Sequence, residues 1–157
     1  MNAATTRRAR ALLAGTAVAG AVLLTGCQVI SPRQTEEMYD AGDGVSLDLG
    51  DLELRNLVVI SEAAAGPGVV SGTVGNPTGL PIRVSFATAE GASAEAEVPA
   101  HSTLNVSVDD EPVVLAGVAE APGAMTTLTV TTAEAGSAPV EVPVLPPVGY
   151  YEALAPS

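Results

Sequence analysis

Side chains able to do nucleophilic, acid–base or metal chemistry are few in this chain: one cysteine, one histidine and three methionines in 157 residues, set among 18 acidic groups. His101, in Pro99-Ala100-His101-Ser102-Thr103, is a candidate general base. A catalytic role would need a nucleophile and an orienting acid beside it, and no Gly-x-Ser-x-Gly elbow is present to supply one. Imidazole and thioether groups suit Cu(I), so a metal site would have to draw on His101, Met38 and Met125, which stand 63 and 24 residues apart. Asp40-Ala41-Gly42-Asp43-Gly44 and Asp109-Asp110-Glu111 carry oxygen ligands of the kind calcium takes. Neither spaces them around a glycine with a closing glutamate, and both read as solvated turns. The glycines at 66, 68, 72 and 75 do not form the phosphate-cradling Gly-x-Gly-x-x-Gly between a strand and a helix. No catalytic residue, metal or cofactor is therefore assigned, and the chain reads as a non-enzyme.

The remaining reactive group, Cys27, takes its meaning from what precedes it. Arg7, Arg8 and Arg10 form a basic start, Ala11 to Leu24 an apolar run of 14 residues, and Leu24-Thr25-Gly26-Cys27 a small-residue cleavage site. Crossing a bilayer core takes about 20 apolar residues, so the run is too short for a permanent span. The segment resembles a bacterial lipoprotein signal, in which the Gly26–Cys27 bond is cut after a diacylglycerol is attached to the sulfur. That resemblance implies a mature chain held by acylated Cys27 in the lipid bilayer, on the extracytoplasmic face of the cell membrane. Thr6-Arg7-Arg8 fits a twin-arginine start, although Ala9-Arg10-Ala11-Leu12 departs from its hydrophobic follow-up.

Cleavage before Cys27 leaves 131 residues, enough for one ordinary domain. Only Arg33, Arg55 and Arg83 then oppose 18 acidic side chains, a net charge of −15 with no lysine anywhere. Binding to a phosphate backbone rests on basic side chains, so nucleic acid is excluded as a partner. The same charge repels anionic headgroups, leaving membrane residence to the acyl chains, at about 0.8 kcal/mol per buried methylene. With Cys27 taken by lipid, no disulfide is left to staple the fold. Phe86, Tyr39, Tyr150 and Tyr151 are the only aromatics, so the core must be aliphatic.

The elements that would position these groups are strands. Residues 1–26 read as the signal, 27–43 as the lipidated cysteine with a polar tether, 44–145 as the folded domain, and 146–157 as a tail rich in proline and tyrosine. Val45 to Leu49 alternates strictly, and Leu52 to Ser61, Gly68 to Val74, Ile82 to Phe86, Ala94 to Val98, Leu104 to Val108, Val113 to Val118, Thr126 to Thr132 and Val140 to Val144 follow between turn signals. Eight or nine short strands predict an all-β, immunoglobulin-like sandwich of seven to nine strands. Glycine and proline at 91, 99, 117, 122 and 123 argue against helices in the alanine-rich stretches. From Pro143 onward the prolines favour an extended tail over another central strand. Tyr150 and Tyr151 are candidate partner contacts, because tyrosine covers much area at little entropic cost; covering their own sandwich is the alternative.

Tyr39 with Gly42-Asp43-Gly44-Val45, Leu54-Arg55-Asn56-Leu57-Val58-Val59, Gly72-Thr73-Val74-Gly75-Asn76 and Val142-Pro143-Val144-Leu145-Pro146 together resemble the LpqE-like family of small actinobacterial lipoproteins. The resemblance runs from about Gln34 through Pro156. It implies an immunoglobulin-like domain at the outer face of the cytoplasmic membrane, acting by protein binding as an accessory component of an envelope or respiratory membrane complex. That family is in turn distantly similar to periplasmic copper chaperones, which implies a copper-binding chaperone as the alternative. The spacing of His101, Met38 and Met125 does not resemble the chaperones' paired histidine and methionine motif.

Overall fold

A computed structural model describes residues 42–109 and 112–156. Nine strands follow one another: β1 (Val45–Leu49), β2 (Leu52–Ser61), β3 (Gly66–Asn76), β4 (Ile82–Thr88), β5 (Ser93–Val98), β6 (Ser102–Asn105), β7 (Val114–Val118), β8 (Met125–Thr132) and β9 (Gly136–Leu145). A 3₁₀ helix, Gly149–Leu154, closes the described chain. Strand order β5-β4-β8-β9-β2-β3-β6, with β1 on β2 and β7 on β3, gives two antiparallel halves. They join where β9 runs parallel to β2 through Val59 with Val144 and Ile60 with Leu145. This junction turns the expected pair of sheets into one nearly closed, barrel-like sheet, and the all-β class holds.

Alternation explains the core. Val84 and Phe86 of β4, Leu128 and Val130 of β8, and Val142 and Val144 of β9 point inward to meet Leu54, Leu57, Val59, Val70 and Val74 from the other half. Phe86, the single phenylalanine, is fully buried among them. Full burial of such side chains contributes roughly 1.5–3 kcal/mol each, so an aliphatic core is sufficient.

β2 contains an interruption that alternation alone does not show. Leu52 and Leu54 face the core, yet so do Leu57 and Val59, an offset of one residue. The register shifts between Arg55 and Val58, and Asn56 takes a φ of 54°. This bulge absorbs the extra residue, and asparagine accepts the left-handed backbone better than most side chains. Beyond the bulge, Val58 and Ile60 face outward with Val69 and form a second apolar cluster under Tyr151.

Two local expectations are corrected. The strand read as Leu104 to Val108 stops at Asn105, because the Asn105 side-chain oxygen accepts the N–H and hydroxyl of Ser107 while Asp109 accepts the Asn105 N–H. The chain from Pro143 is not yet tail: β9 runs through it to Leu145 and lies between β8 and β2. Pro139 and Pro143 are tolerated because β9 meets β2 only at Val144 and Leu145, so both prolines have a ladder neighbour on one side. The tail proper then turns at Gly149, with a φ of 60°, into the 3₁₀ helix rather than staying extended.

Candidate functional site

Register divides the turns between two ends of the barrel. The β1–β2, β3–β4, β5–β6 and β8–β9 turns share one end, and Met125 at the start of β8 lies at the other.

The first end is organised by Asn76, which is 2% exposed. Its side-chain amide donates to the carbonyls of Leu80, Val98 and Pro99 at 2.8, 3.1 and 3.1 Å. Its oxygen accepts the Thr78 N–H and hydroxyl at 3.0 and 2.7 Å. One side chain thus satisfies both its own turn and the end of β5, as a buried amide must. His101 sits on the rim, immediately before β6, exposed and with a φ of 52°. Its N–H donates to Thr78 O at 3.0 Å, and Nδ1 lies 2.9 Å from Pro77 O. A carbonyl only accepts, so Nδ1 carries the proton in this contact and Nε2 is the ring nitrogen left for a further partner.

His101 borders an open groove of about 450 Å³. Glu53, Gly75 and Thr103 lie side by side across β2, β3 and β6 and also line it. A Cβ on Gly75 would stand 3.7 Å from Glu53 and 3.8 Å from Thr103, so the glycine keeps the groove floor low. The groove brings one carboxylate to His101. Ser102 donates its hydroxyl to Pro99 O at 2.7 Å, and the imidazole is oriented by a carbonyl rather than an acid. The base–nucleophile pair of covalent catalysis is not assembled here.

The second feature is the tail. Tyr151, 8% exposed, lies on Val58, Ile60 and Val69, and its hydroxyl donates to Asp43 at 3.1 Å. Burial first, and the neighbouring Asp43 carboxylate second, raise the phenol above its ordinary value of 10.0. Asn56 completes the clip by accepting the Gly44 N–H at 2.8 Å. The close approach requires glycine: a Cβ at Gly44 would fall 2.5 Å from the Asn56 backbone. Tyr150 stacks edge-on against Tyr151, ring centres 5.2 Å apart, and is itself 87% exposed. The two tyrosines therefore divide the roles that the sequence left open for both.

Of the other singled-out residues, Gly26, Cys27 and Met38 lie outside the described residues. Met125 is 51% exposed and on the opposite end from His101, so the structure does not bring the two together. Among the described residues no three histidine, cysteine or acidic side chains gather as a metal site, and no helix is long and apolar enough to cross a membrane. Asp109 is committed to Asn105, and Asp43 to Tyr151. Asn76 and Asn56 were missed as organising residues. The broken alternation from Leu54 to Leu57 was the available signal for Asn56, and the Asn-Pro turn for Asn76.

No protein-family model matches the chain, and no curated protein matches it by sequence. Its fold has counterparts among solved structures. The copper-bound PCuAC domain from PmoF2 superposes with a TM-score of 0.52 at 15% identity, over 66% of this chain and 99% of that domain. The apo PCuAC domain from PmoF1 gives 0.51 at 14%, over 66% and 100%. The apo PCuAC domain of PmoF2 gives 0.51 at 16%, over 67% and 98%. At these identities the likeness is one of fold: the chain has the β architecture of PCuAC domains.

Proposed function

We propose that this chain is a non-enzymatic binding module of the cell envelope, held at the membrane by lipid on Cys27 and acting by protein binding, as an accessory component of a membrane complex. The observation that carries the reading is Tyr150, an aromatic ring 87% exposed and in edge contact with its docked neighbour. An exposed tyrosine brings a large amphipathic contact area with only two side-chain torsions to order. The LpqE-like segments support the same setting, with Asp43 and Gly44 held by Tyr151 and Asn56.

Copurification tests it. Crosslinking in intact cells, mild-detergent extraction through a tag after Ser157 and mass spectrometry should recover one membrane complex at near-equal stoichiometry. A Cys27→Ala variant should lose it. Recovery of the chain alone would contradict the reading.

A copper-binding chaperone is the second reading, supported by the fold of the copper-bound PCuAC domain and by the Nε2 of His101 left for a further partner. Met38 would then have to join His101, since Met125 sits at the other end. Stoichiometric Cu(I) binding abolished by His101→Ala would favour it. An apo fold without copper affinity would remove it.

A further inference from the structure

The loop between β3 and β4 separates the His101 groove from a second concavity on the same end of the barrel, a cleft of about 460 Å³. Its floor and walls are Leu49, Leu52 and Ile82, and Leu80 stands at its lip, 73% exposed. Three turns build it, and each is fixed independently of any ligand. Leu80 is held by its carbonyl, which accepts from the Asn76 amide. Gly50 packs so closely on Ala135 that a Cβ there would stand 2.7 Å from the alanine methyl. The Thr132 hydroxyl accepts the Ala135 N–H.

These constraints also determine the cleft's chemistry. Its two hydroxyls, Thr78 and Thr132, are both engaged in holding turns. The charged groups that line it are Asp51 and Glu134, and no basic residue lines it. The two described arginines are paired elsewhere, Arg55 with Asp48 and Glu53, Arg83 with Glu97. A preformed apolar hollow of this size with a few placed polar groups is the usual form of a small-ligand site. Here the charged groups are all anions.

We infer that this cleft binds an amphiphilic organic cation, its apolar body on Leu80, Pro81 and Ile82 and its protonated amine at Asp51 and Glu134. Hydrogen-bonding ammonium fits better than a quaternary one, since carboxylates reward N–H donors and the lining contains no aromatic ring to form a cation–π cage.

The probe is n-hexylammonium, titrated into the isotope-labelled full chain and followed through backbone amide shifts, with hexanol and hexanoate as neutral and anionic matches. Saturable shifts confined to the turns around Leu52, Leu80 and Ala135 are expected. Two partly exposed charge pairs should favour the ammonium over hexanol by about tenfold, with hexanoate weaker than either. Asp51→Asn combined with Glu134→Gln should erase the tenfold preference and leave hexanol binding unchanged. Each single variant, should the pair perturb the turns, should remove part of it. Shifts that never saturate or spread over the whole acidic surface would overturn the proposal. So would equal affinity for the three probes, or a preference that survives neutralisation.

Discussion

Two clips join distant parts of this chain, and they are built from opposite materials. At one end the buried amide of Asn76 ties the β3–β4 turn to the end of β5, its two N–H protons shared among the Leu80, Val98 and Pro99 carbonyls and its oxygen taken by Thr78. On the outer face of β2, Tyr151 ties the tail to the start of the domain through apolar contact and one hydrogen bond to Asp43. The amide clip has no apolar substitute, because its removal takes a donor from the buried Val98 carbonyl, while Pro99 O keeps the Ser102 hydroxyl. The phenol clip retains most of its attachment without its hydroxyl. One clip therefore makes a rigid platform, carrying His101 and the apolar cleft, while the other makes a strap that can be loosened with the barrel intact.

The contrast is open to direct challenge by substitution. Asn76→Ala should cost the most, about 3 kcal/mol in urea unfolding, since it deletes a buried amide that bridges the β3–β4 turn and the end of β5. It should also disturb the amide signals of Leu80 and His101 together. Tyr151→Ala should cost about 2 kcal/mol through lost apolar contact on Val58, Ile60 and Val69. Hydrogen exchange should quicken in the tail while Phe86 and its neighbours stay protected. A cost equal to that of Asn76→Ala, or loosening of the barrel itself, would break the distinction. Tyr151→Phe keeps the ring and removes one hydrogen bond, so about 1 kcal/mol is expected. Tyr150→Ala, at an exposed position, should change stability by less than about 0.5 kcal/mol.

Alkaline pH sharpens the same comparison. The Tyr151 phenol is raised by burial and by Asp43, so the folded state resists its ionisation. Its contribution is fully present below the ordinary value of 10.0 and is lost as pH rises through the higher native one. Tyrosinate absorbance should show a late phase above the ordinary phenol range, and Tyr151→Phe should abolish it. The Asn76 clip has no titrating group and should respond only when the whole domain unfolds.

Much of the fold was legible because strand burial writes itself into alternate residues. Val84 and Phe86 against Arg83 and Ser85 place β4 without any tertiary knowledge. The bulge at Asn56 was not read, since it depends on β2 gaining an extra residue between partners on β1 and β3. Asn76 stood out as part of a turn, yet its role rests on carbonyls at Val98 and Pro99, 22 and 23 residues away. Adjacent tyrosines could not be told apart by composition. Only the turn at Gly149 and the apolar row beneath it bury Tyr151 and expose Tyr150. For His101 the polar neighbours announced exposure, whereas its Nδ1 contact required the Pro77 carbonyl brought alongside by the fold.

Site-specific photocrosslinking from position 150 in intact cells tests the central claim most directly. The account expects one discrete protein adduct from a photoreactive phenylalanine at Tyr150, absent when the same group replaces exposed Glu90 and lost with Cys27→Ala. An adduct-free position 150, or the same capture from both positions, would contradict a protein-binding role for the tyrosine-bearing strap.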